Sequence, residues 1–211
     1  MTTTPDVLQS GAASAALELA RTTESAPVFN HSVRSFLFAE LLADNDGLQA
    51  SSDYDREAVF FGCVLHDLGA GSNAAGRTRF EVEGADLAAD FLTNHGYGAD
   101  TVDSVWEAIA LHTSGGIAER RGPVCYLVRG GIGMDFGRNV DLVDDATAAA
   151  IHTRYPRLHM ERALVDAVVA HAMKSPEAAP LFSMPAVLLS DRRSGELTSL
   201  ERAAHTSRWG A

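Results

Sequence analysis

The chain has 211 residues, a length typical of one domain with a modest appendage. Its 28 acidic residues outnumber 17 basic ones, giving a formal charge of −11, and so acidic a surface repels nucleic acid and anionic lipid. No apolar run approaches the roughly 20 residues that a membrane-spanning helix needs. The N-terminus has neither the basic start nor the apolar core of a signal peptide. We therefore expect a cytoplasmic protein with no nucleic-acid or membrane partner.

Apolar residues recur with helical spacing along most of the chain. The predicted helices are, in chain order, a short one around residues 12–21, then 28–43, one from a cap at residues 51–53 to residue 65, 81–94, 100–112, 124–129, 143–153 and 158–173. The pairs Gly115-Gly116 and Gly130-Gly131 are predicted to form turns. No convincing run of period-two alternation is present, so the predicted fold class is all-α.

Composition predicts three parts. Residues 1–26, rich in Ala, Ser and Thr, form an N-terminal arm or short packing helix. Residues 27–180 form the main domain, and residues 181–211 a C-terminal extension whose polar tail, from Ser190, is expected to be peripheral. A homo-oligomer is expected only from the general frequency of such assemblies.

The most informative segment is Val64-Leu65-His66-Asp67-Leu68-Gly69. Neighbouring side chains on a helix point about 100° apart, so they rarely serve one purpose unless an object bridges them. A buried carboxylate is also costly without a partner, and a cation offsets that cost. At the last turn of a helix, a metal ion meets both requirements.

Other residues point to the same chemistry. His31 begins one apolar helix, His112 ends another, and Asp135 lies among glycines and apolar residues. A mixed set of imidazoles and carboxylates suits Zn²⁺, Fe²⁺ or Mn²⁺, and it argues against a Ca²⁺ cage or a thiolate zinc finger.

The sequence resembles the HD superfamily of metal-dependent hydrolases. It shares with that superfamily a His in one helix, a His-Asp pair at the end of the next helix and an Asp much further along the chain. The resemblance narrows to the cyanamide hydratase branch and extends over about residues 28–179. It is carried by the segments Asn30-His31-Ser32-Val33-Arg34, Leu65-His66-Asp67-Leu68-Gly69, Arg79-Phe80-Glu81-Val82-Glu83-Gly84-Ala85, Trp106-Glu107-Ala108-Ile109-Ala110-Leu111-His112-Thr113-Ser114 and Tyr155-Pro156-Arg157.

The resemblance implies an HD-domain helical bundle whose metal ligands are His31, His66, Asp67 and Asp135. His112 matches a further active-site histidine. Two-metal members of the superfamily usually carry one more histidine, at the position that is Phe80 here. Its loss favours a mononuclear site, expected to hold Zn²⁺ with Fe²⁺ or Mn²⁺ as alternatives, although Glu81 or Glu83 remains a candidate substitute ligand.

The activity that the resemblance implies is addition of metal-activated water to the nitrile of cyanamide, or of a similar small substrate, to give urea. Asp67 would ligate the metal and accept the proton of the water, while His112 would donate to the developing charge on the nitrile nitrogen. These two residues are the predicted catalytic pair. The predicted substrate pocket consists of Arg34, Phe80, Glu83, Trp106 and Phe136.

Three alternatives remain open. A phosphohydrolase acting on a nucleotide or another phosphomonoester would need cations at the site, for which Arg34, Arg77 and Arg79 are the nearby candidates. A di-iron HD oxygenase would need a second metal site. A non-catalytic, metal-stabilised binding protein would use the ligands for folding alone.

Overall fold

The computed structural model describes residues 5–210, which are mainly α-helical and contain no β-strand. The predicted all-α class is therefore confirmed. The helices are α1 (Gly11–Thr23), α2 (Ala26–Asn45), α3 (Arg56–Leu65), α4 (Phe80–Asn94), α5 (Ala99–Leu111), α6 (Pro123–Asp135), α7 (Asp145–Arg154), α8 (Met160–Ala172), α9 (Met184–Ser194) and α10 (Ser199–Thr206).

Helix α2 lies at the centre of the bundle, where it packs against α3, α6 and α8. Every residue from position 31 to position 43 is buried, so this helix is enclosed on all sides. The same surroundings enclose its two functional candidates, His31 and Arg34, which have no exposed surface.

Helix α6 passes through Gly130-Gly131, which corrects the prediction of a turn there. A Cβ atom at Gly131 would lie 2.1 Å from the carbonyl oxygen of Ser35 on α2. These glycines therefore allow two helix backbones to approach closely, rather than ending a helix. As a result α6 continues to Asp135 and brings that residue beside α2.

Helix α3 positions the His-Asp pair. Its N-cap is Asp55, whose carboxylate accepts hydrogen bonds from two backbone amides of the first turn, whereas the predicted cap residue Asp53 accepts from the amide of Gln49 instead. His66 is the C-cap of α3 and Asp67 follows it. A Cβ at Gly69 would lie 1.9 Å from the carbonyl oxygen of Phe80, so this turn is pressed against the start of α4.

Both ends of the described chain pack on the bundle. Helix α1 buries one face, including Ala13 and Ala16, and it contacts α3. The C-terminal extension was expected to be peripheral from Ser190 onward, and this expectation is wrong. Helices α9 and α10 pack on α8, and within the tail itself Thr198 and Ala204 are completely buried.

None of the helices in residues 5–210 is long and apolar enough to cross a bilayer.

Candidate metal centre

Three side chains from α2 and the end of α3 meet in the interior. One ligand atom from each of His31, His66 and Asp67 can be chosen so that all three lie within 4.8 Å of one another. Asp67 Oδ2 is 3.2 Å from His66 Nε2 and 3.9 Å from His31 Nε2. We refer to these three residues as the triad.

Hydrogen bonds at the far side of each imidazole fix which nitrogen faces the triad. His66 Nδ1 donates to the carbonyl oxygen of Cys63 at 2.7 Å, and His31 Nδ1 lies 2.6 Å from Asp135 Oδ2. Since a carbonyl or carboxylate oxygen only accepts, each Nδ1 carries the proton. When each ring is neutral, its Nε2 therefore presents a lone pair, which is the form that binds a metal. Burial opposes protonation of His66, but the Asp67 carboxylate outweighs it and raises the pKa of His66.

The triad fits a metal ion for a second reason. Within residues 5–210, His31 Nε2 and Asp67 Oδ2 are buried and lack a hydrogen-bond partner. Such atoms are costly in a protein interior unless something satisfies them. No arginine or lysine of the described chain pairs with Asp67, so its charge is also uncompensated by a permanent cation. A divalent ion bound by the triad would satisfy both atoms and the charge.

Asp135 lies at the Nδ1 edge of His31, away from Nε2. Arg34 holds both of its oxygens, donating from Nε to Oδ1 at 2.8 Å and from Nη2 to Oδ2 at 2.7 Å. Arg157 Nη1 also donates to Oδ1, at 3.1 Å. In this arrangement Asp135 orients His31 through a hydrogen bond and lies outside the triad, so its predicted role as a direct metal ligand stays a prediction.

The charges explain the protonation of these groups. Burial raises the pKa of Asp135, but the Arg34 guanidinium and His31 outweigh it and hold that pKa well below its usual range. Burial likewise opposes ionisation of Asp67, yet His66 and His31 lower its pKa to about 2. Both carboxylates are therefore ionised at neutral pH. Burial is the main cause that lowers the pKa of His31.

His112, the C-cap of α5, lies next to the triad, with its ring centre 4.9 Å from that of His66. Its Nδ1 donates to the carbonyl oxygen of Ile109 at 2.7 Å, so Nε2 is the free ring nitrogen. Burial and the nearby His66 lower the pKa of His112 to about 4. The ring is thus neutral at pH 7, and Nε2 accepts a proton rather than donating one. The expected role of His112 as a donor to the nitrile nitrogen stays a prediction, and it requires that the ring first accept a proton.

A buried carboxylate stands beside His112. Glu81 accepts hydrogen bonds from Arg79 Nη2 at 2.6 Å and from the Thr113 hydroxyl at 2.7 Å. Burial raises its pKa, but the bond from Arg79, with His112 and Thr113, lowers it overall. Glu81 is therefore an ionised neighbour of the imidazole.

The triad opens into a cavity of about 180 Å³. Phe80 and Phe136 form part of its wall, with ring centres 5.6 Å from that of His112 and 5.2 Å from that of His31, respectively. The complete lining combines the triad with polar and apolar residues of six helices and adjoining turns: His31, His66, Asp67, Phe80, His112, Thr113, Arg129, Ile132, Gly133, Phe136, Arg138, Leu164, Met184 and Leu200.

The sequence model of the HD domain family matches residues 28–172, more than half of the chain. The chain belongs to the HD domain family. The resemblance inferred from the sequence is therefore confirmed at the level of the family. The matched range contains the whole triad, His112 and Asp135.

Two relatives of this HD domain protein are cyanamide hydratase DDI2 and cyanamide hydratase DDI3 of Saccharomyces cerevisiae. Each is 32% identical to the chain over 142 residues, which are 64% of this chain and 61% of the relative. The matched region thus spans less than two thirds of the length of these relatives.

The structure brings some predicted pocket residues of the HD domain to the cavity and leaves others outside. Phe80 and Phe136 line it. Arg34 is enclosed behind Asp135, and the Glu83 carboxylate accepts from the backbone amides of residues 75–77. Trp106 donates its indole N–H to Asp86 on the outer face of α4 and α5. The predictions of Arg34, Glu83 and Trp106 as pocket residues are corrected for these reasons.

The same contacts bear on the two-metal alternative. Glu81 and Glu83, the candidate substitutes for the histidine missing at Phe80, are held by Arg79 with Thr113 and by loop amides, respectively. Within residues 5–210 the triad is the only cluster of three or more metal-ligating side chains. The geometry therefore favours a mononuclear HD site.

Most of the residues that line the cavity were not predicted from the sequence. Thr113 follows His112 directly, so its proximity could have been read from the sequence. Arg129, Ile132 and Gly133 come from α6, which was expected to stop before the last two of them. Met184 and Leu200 come from the extension beyond the matched HD domain, and no local pattern indicated that they return to the site.

Proposed function

We propose that this protein is a Zn²⁺-dependent hydratase that adds water to the nitrile of cyanamide, giving urea. The observation that carries the proposal is the buried triad, which opens directly into a small cavity shared with His112. Two imidazoles and one carboxylate suit Zn²⁺, and three protein ligands leave a coordination position for water. The names of the two yeast relatives support cyanamide as the substrate.

His31 Nε2, His66 Nε2 and an Asp67 oxygen would hold the ion. A Zn²⁺ ion bound there would lower the pKa of a water molecule towards about 7 and so make one of its protons easier to remove. Because only neutral imidazoles bind metal, the acceptors at the two Nδ1 atoms, Asp135 and the Cys63 carbonyl, keep the rings in the required tautomer.

We assign the proton transfer to His112, whereas Asp67, which the sequence favoured as the acceptor, serves in this proposal as a metal ligand. His112 Nε2 accepts a proton as the oxygen of water attacks the nitrile carbon, and it returns that proton to the nitrile nitrogen. The isourea formed in this way tautomerises to urea. The Glu81 carboxylate stabilises the imidazolium that exists between these two transfers, because its negative charge favours the protonated ring.

The aromatic walls of the cavity limit the contact of the reacting groups with water. The rings of Phe80 and Phe136 stand against His112 and His31, so these imidazoles are almost completely buried. In such an environment the charges of Asp67 and Glu81 act more strongly on the reacting atoms than they would in water.

The test is urea release from cyanamide by protein whose metal content has been quantified, with a generic phosphomonoester assayed in parallel. Urea formation that scales with Zn²⁺ and saturates at one ion per chain is the expected result. Fully metallated protein that releases no urea would contradict the assignment of the substrate.

A phosphomonoester hydrolase is the second candidate function. Two arginines, Arg129 and Arg138, line the cavity, although neither was among those expected to supply cations. Arg129 is held by Glu119 and by the His112 carbonyl, while Arg138 forms no ion pair within the described chain. Release of phosphate without urea in the paired assay, abolished by Arg138→Gln, would favour this function.

A further inference from the structure

One side of the cavity is apolar and is built partly from outside the matched HD domain. Phe80, Phe136, Leu164, Met184 and Leu200 all line the cavity, and all belong to one apolar cluster around α8, α9 and α10. We call these five residues the apolar wall. Met184 and Leu200 lie beyond residue 172, where the match to the family ends.

Local contacts hold the two C-terminal residues of the apolar wall in place. Met184 is the first residue of α9, whose N-cap Ser183 is buried and accepts from a backbone amide. Leu200 lies in the first turn of α10, where Thr198 and Glu201 form a capping box and are both buried. These caps fix where the two helices begin, and so place the half-buried side chains of Met184 and Leu200 at the cavity.

The cavity is larger than cyanamide requires. One water molecule needs about 10–15 Å³ of such space, so a cavity of about 180 Å³ has room for several groups of that size. Cyanamide contains only two nitrogens and one carbon, and the added water one oxygen. The apolar wall forms part of the lining of this cavity, and a hydrocarbon group that packs against it gains free energy by leaving water.

We propose, on the basis of the proposed hydratase function, that the preferred substrate is a cyanamide carrying a short apolar substituent, and that Met184 and Leu200 set the size of that substituent. The reaction is R–NH–C≡N plus water giving R–NH–CO–NH₂. The oxygen of water bonds to the nitrile carbon, and both of its hydrogens end on the former nitrile nitrogen, so no further reactant is needed.

The first experiment compares kcat/KM for cyanamide with kcat/KM for N-methyl-, N-ethyl- and N-butylcyanamide, with the urea products measured by mass spectrometry. The wild-type protein is expected to prefer N-ethylcyanamide over cyanamide by about 10-fold or more, since even one added carbon in an apolar pocket raises kcat/KM by about 10-fold. Met184→Ala and Leu200→Ala are expected to move the optimum to N-butylcyanamide, and Leu200→Phe to move it back to cyanamide.

The matched controls are Val187→Ala and Leu197→Ala. Both residues are exposed, lie outside the cavity and are close in sequence to Met184 and Leu200. They are expected to keep the wild-type order of substrates. A wild-type preference for cyanamide over every alkyl derivative, or equal behaviour of the cavity variants and the controls, would overturn the inference.

Binding of the product ureas separates this inference from the proposed function. Calorimetry on the metallated protein should show tighter binding of N-ethylurea than of urea, and Leu200→Phe should remove the difference. If no nitrile is hydrated, the proposed function fails, while this difference in binding would still support the apolar wall as a subsite. Equal affinity for the two ureas would overturn the inference whether or not cyanamide is a substrate.

Discussion

His31 and Asp135, which are 104 positions apart in the sequence, meet at 2.6 Å between Nδ1 and Oδ2 in the fully buried interior. The carboxylate is itself held by Arg34 and Arg157. This chain of contacts orients the imidazole that faces the triad. The metal site therefore depends on a charged network behind it as well as on its own ligands.

Asp135→Asn is expected to lower metal affinity by about 10–100-fold, because His31 loses a charged partner that fixes its tautomer. The same change should lower the free energy of unfolding by about 3–5 kcal/mol, since it leaves the buried charge of Arg34 without its counterion. Chelator competition and urea denaturation measure the two effects. Asp103→Asn, on the exposed face of α5, is the control. A loss of metal as complete as that caused by Asp67→Ala would instead make Asp135 a direct ligand.

Removal of the metal tests the triad. At a free Zn²⁺ concentration about 1,000 times the Kd, binding adds about 4 kcal/mol to the free energy of unfolding, and a chelator should abolish this gain. His31→Ala should make the stability independent of Zn²⁺, because one of the three ligands is lost. Wild-type protein whose unfolding is unchanged by Zn²⁺ would contradict the assignment of the triad.

Asp67→Ala is expected to abolish urea formation and to weaken metal binding together, because Asp67 is the only carboxylate of the triad. Turnover is measured at saturating Zn²⁺, so that weak binding alone does not account for the loss. Exposed Asp141 offers the control Asp141→Ala. Full activity in Asp67→Ala would exclude the triad as the catalytic site.

His112→Ala is expected to reduce kcat by about 10²–10⁴-fold, the usual contribution of a general acid–base group, while metal affinity changes much less. The reason is that His112 Nε2 lies outside the cluster of ligand atoms. His95→Ala, at the exposed end of α4, serves as the control. Equal losses of turnover and metal affinity would identify His112 as a ligand.

Gly131→Ala tests the close approach of α6 and α2. Its Cβ would lie 2.1 Å from the carbonyl oxygen of Ser35, so the helices must separate, and we expect a loss of about 3 kcal/mol in unfolding free energy. Gly11→Ala in α1 meets no atom within 4 Å and should stabilise the protein by about 0.5 kcal/mol. Equal stabilities of the two variants would contradict the proposed role of Gly131.

Local patterns in the sequence were sufficient for much of this architecture. Helical spacing of apolar residues predicted most of the helices, and their ends differ from the prediction by a few residues. The pattern failed at Gly130-Gly131 because glycine serves both turns and close helix contacts, and only the neighbouring helix distinguishes the two. It also failed in the C-terminal extension, whose polar composition conceals the few buried positions of α9 and α10.

The candidate site likewise has features that local sequence predicts and features that only the packing of the helices decides. The sequence by itself determined that His66 and Asp67 lie at the end of an apolar helix, and that the chain resembles the HD family. Only the tertiary structure decided that Asp135 supports His31 from behind, that Arg34 is enclosed with Asp135, and that Met184 and Leu200 reach the cavity. The physical reason is that residue type and spacing specify which face of a helix is buried, whereas the packing of distant helices decides which atoms on that face meet.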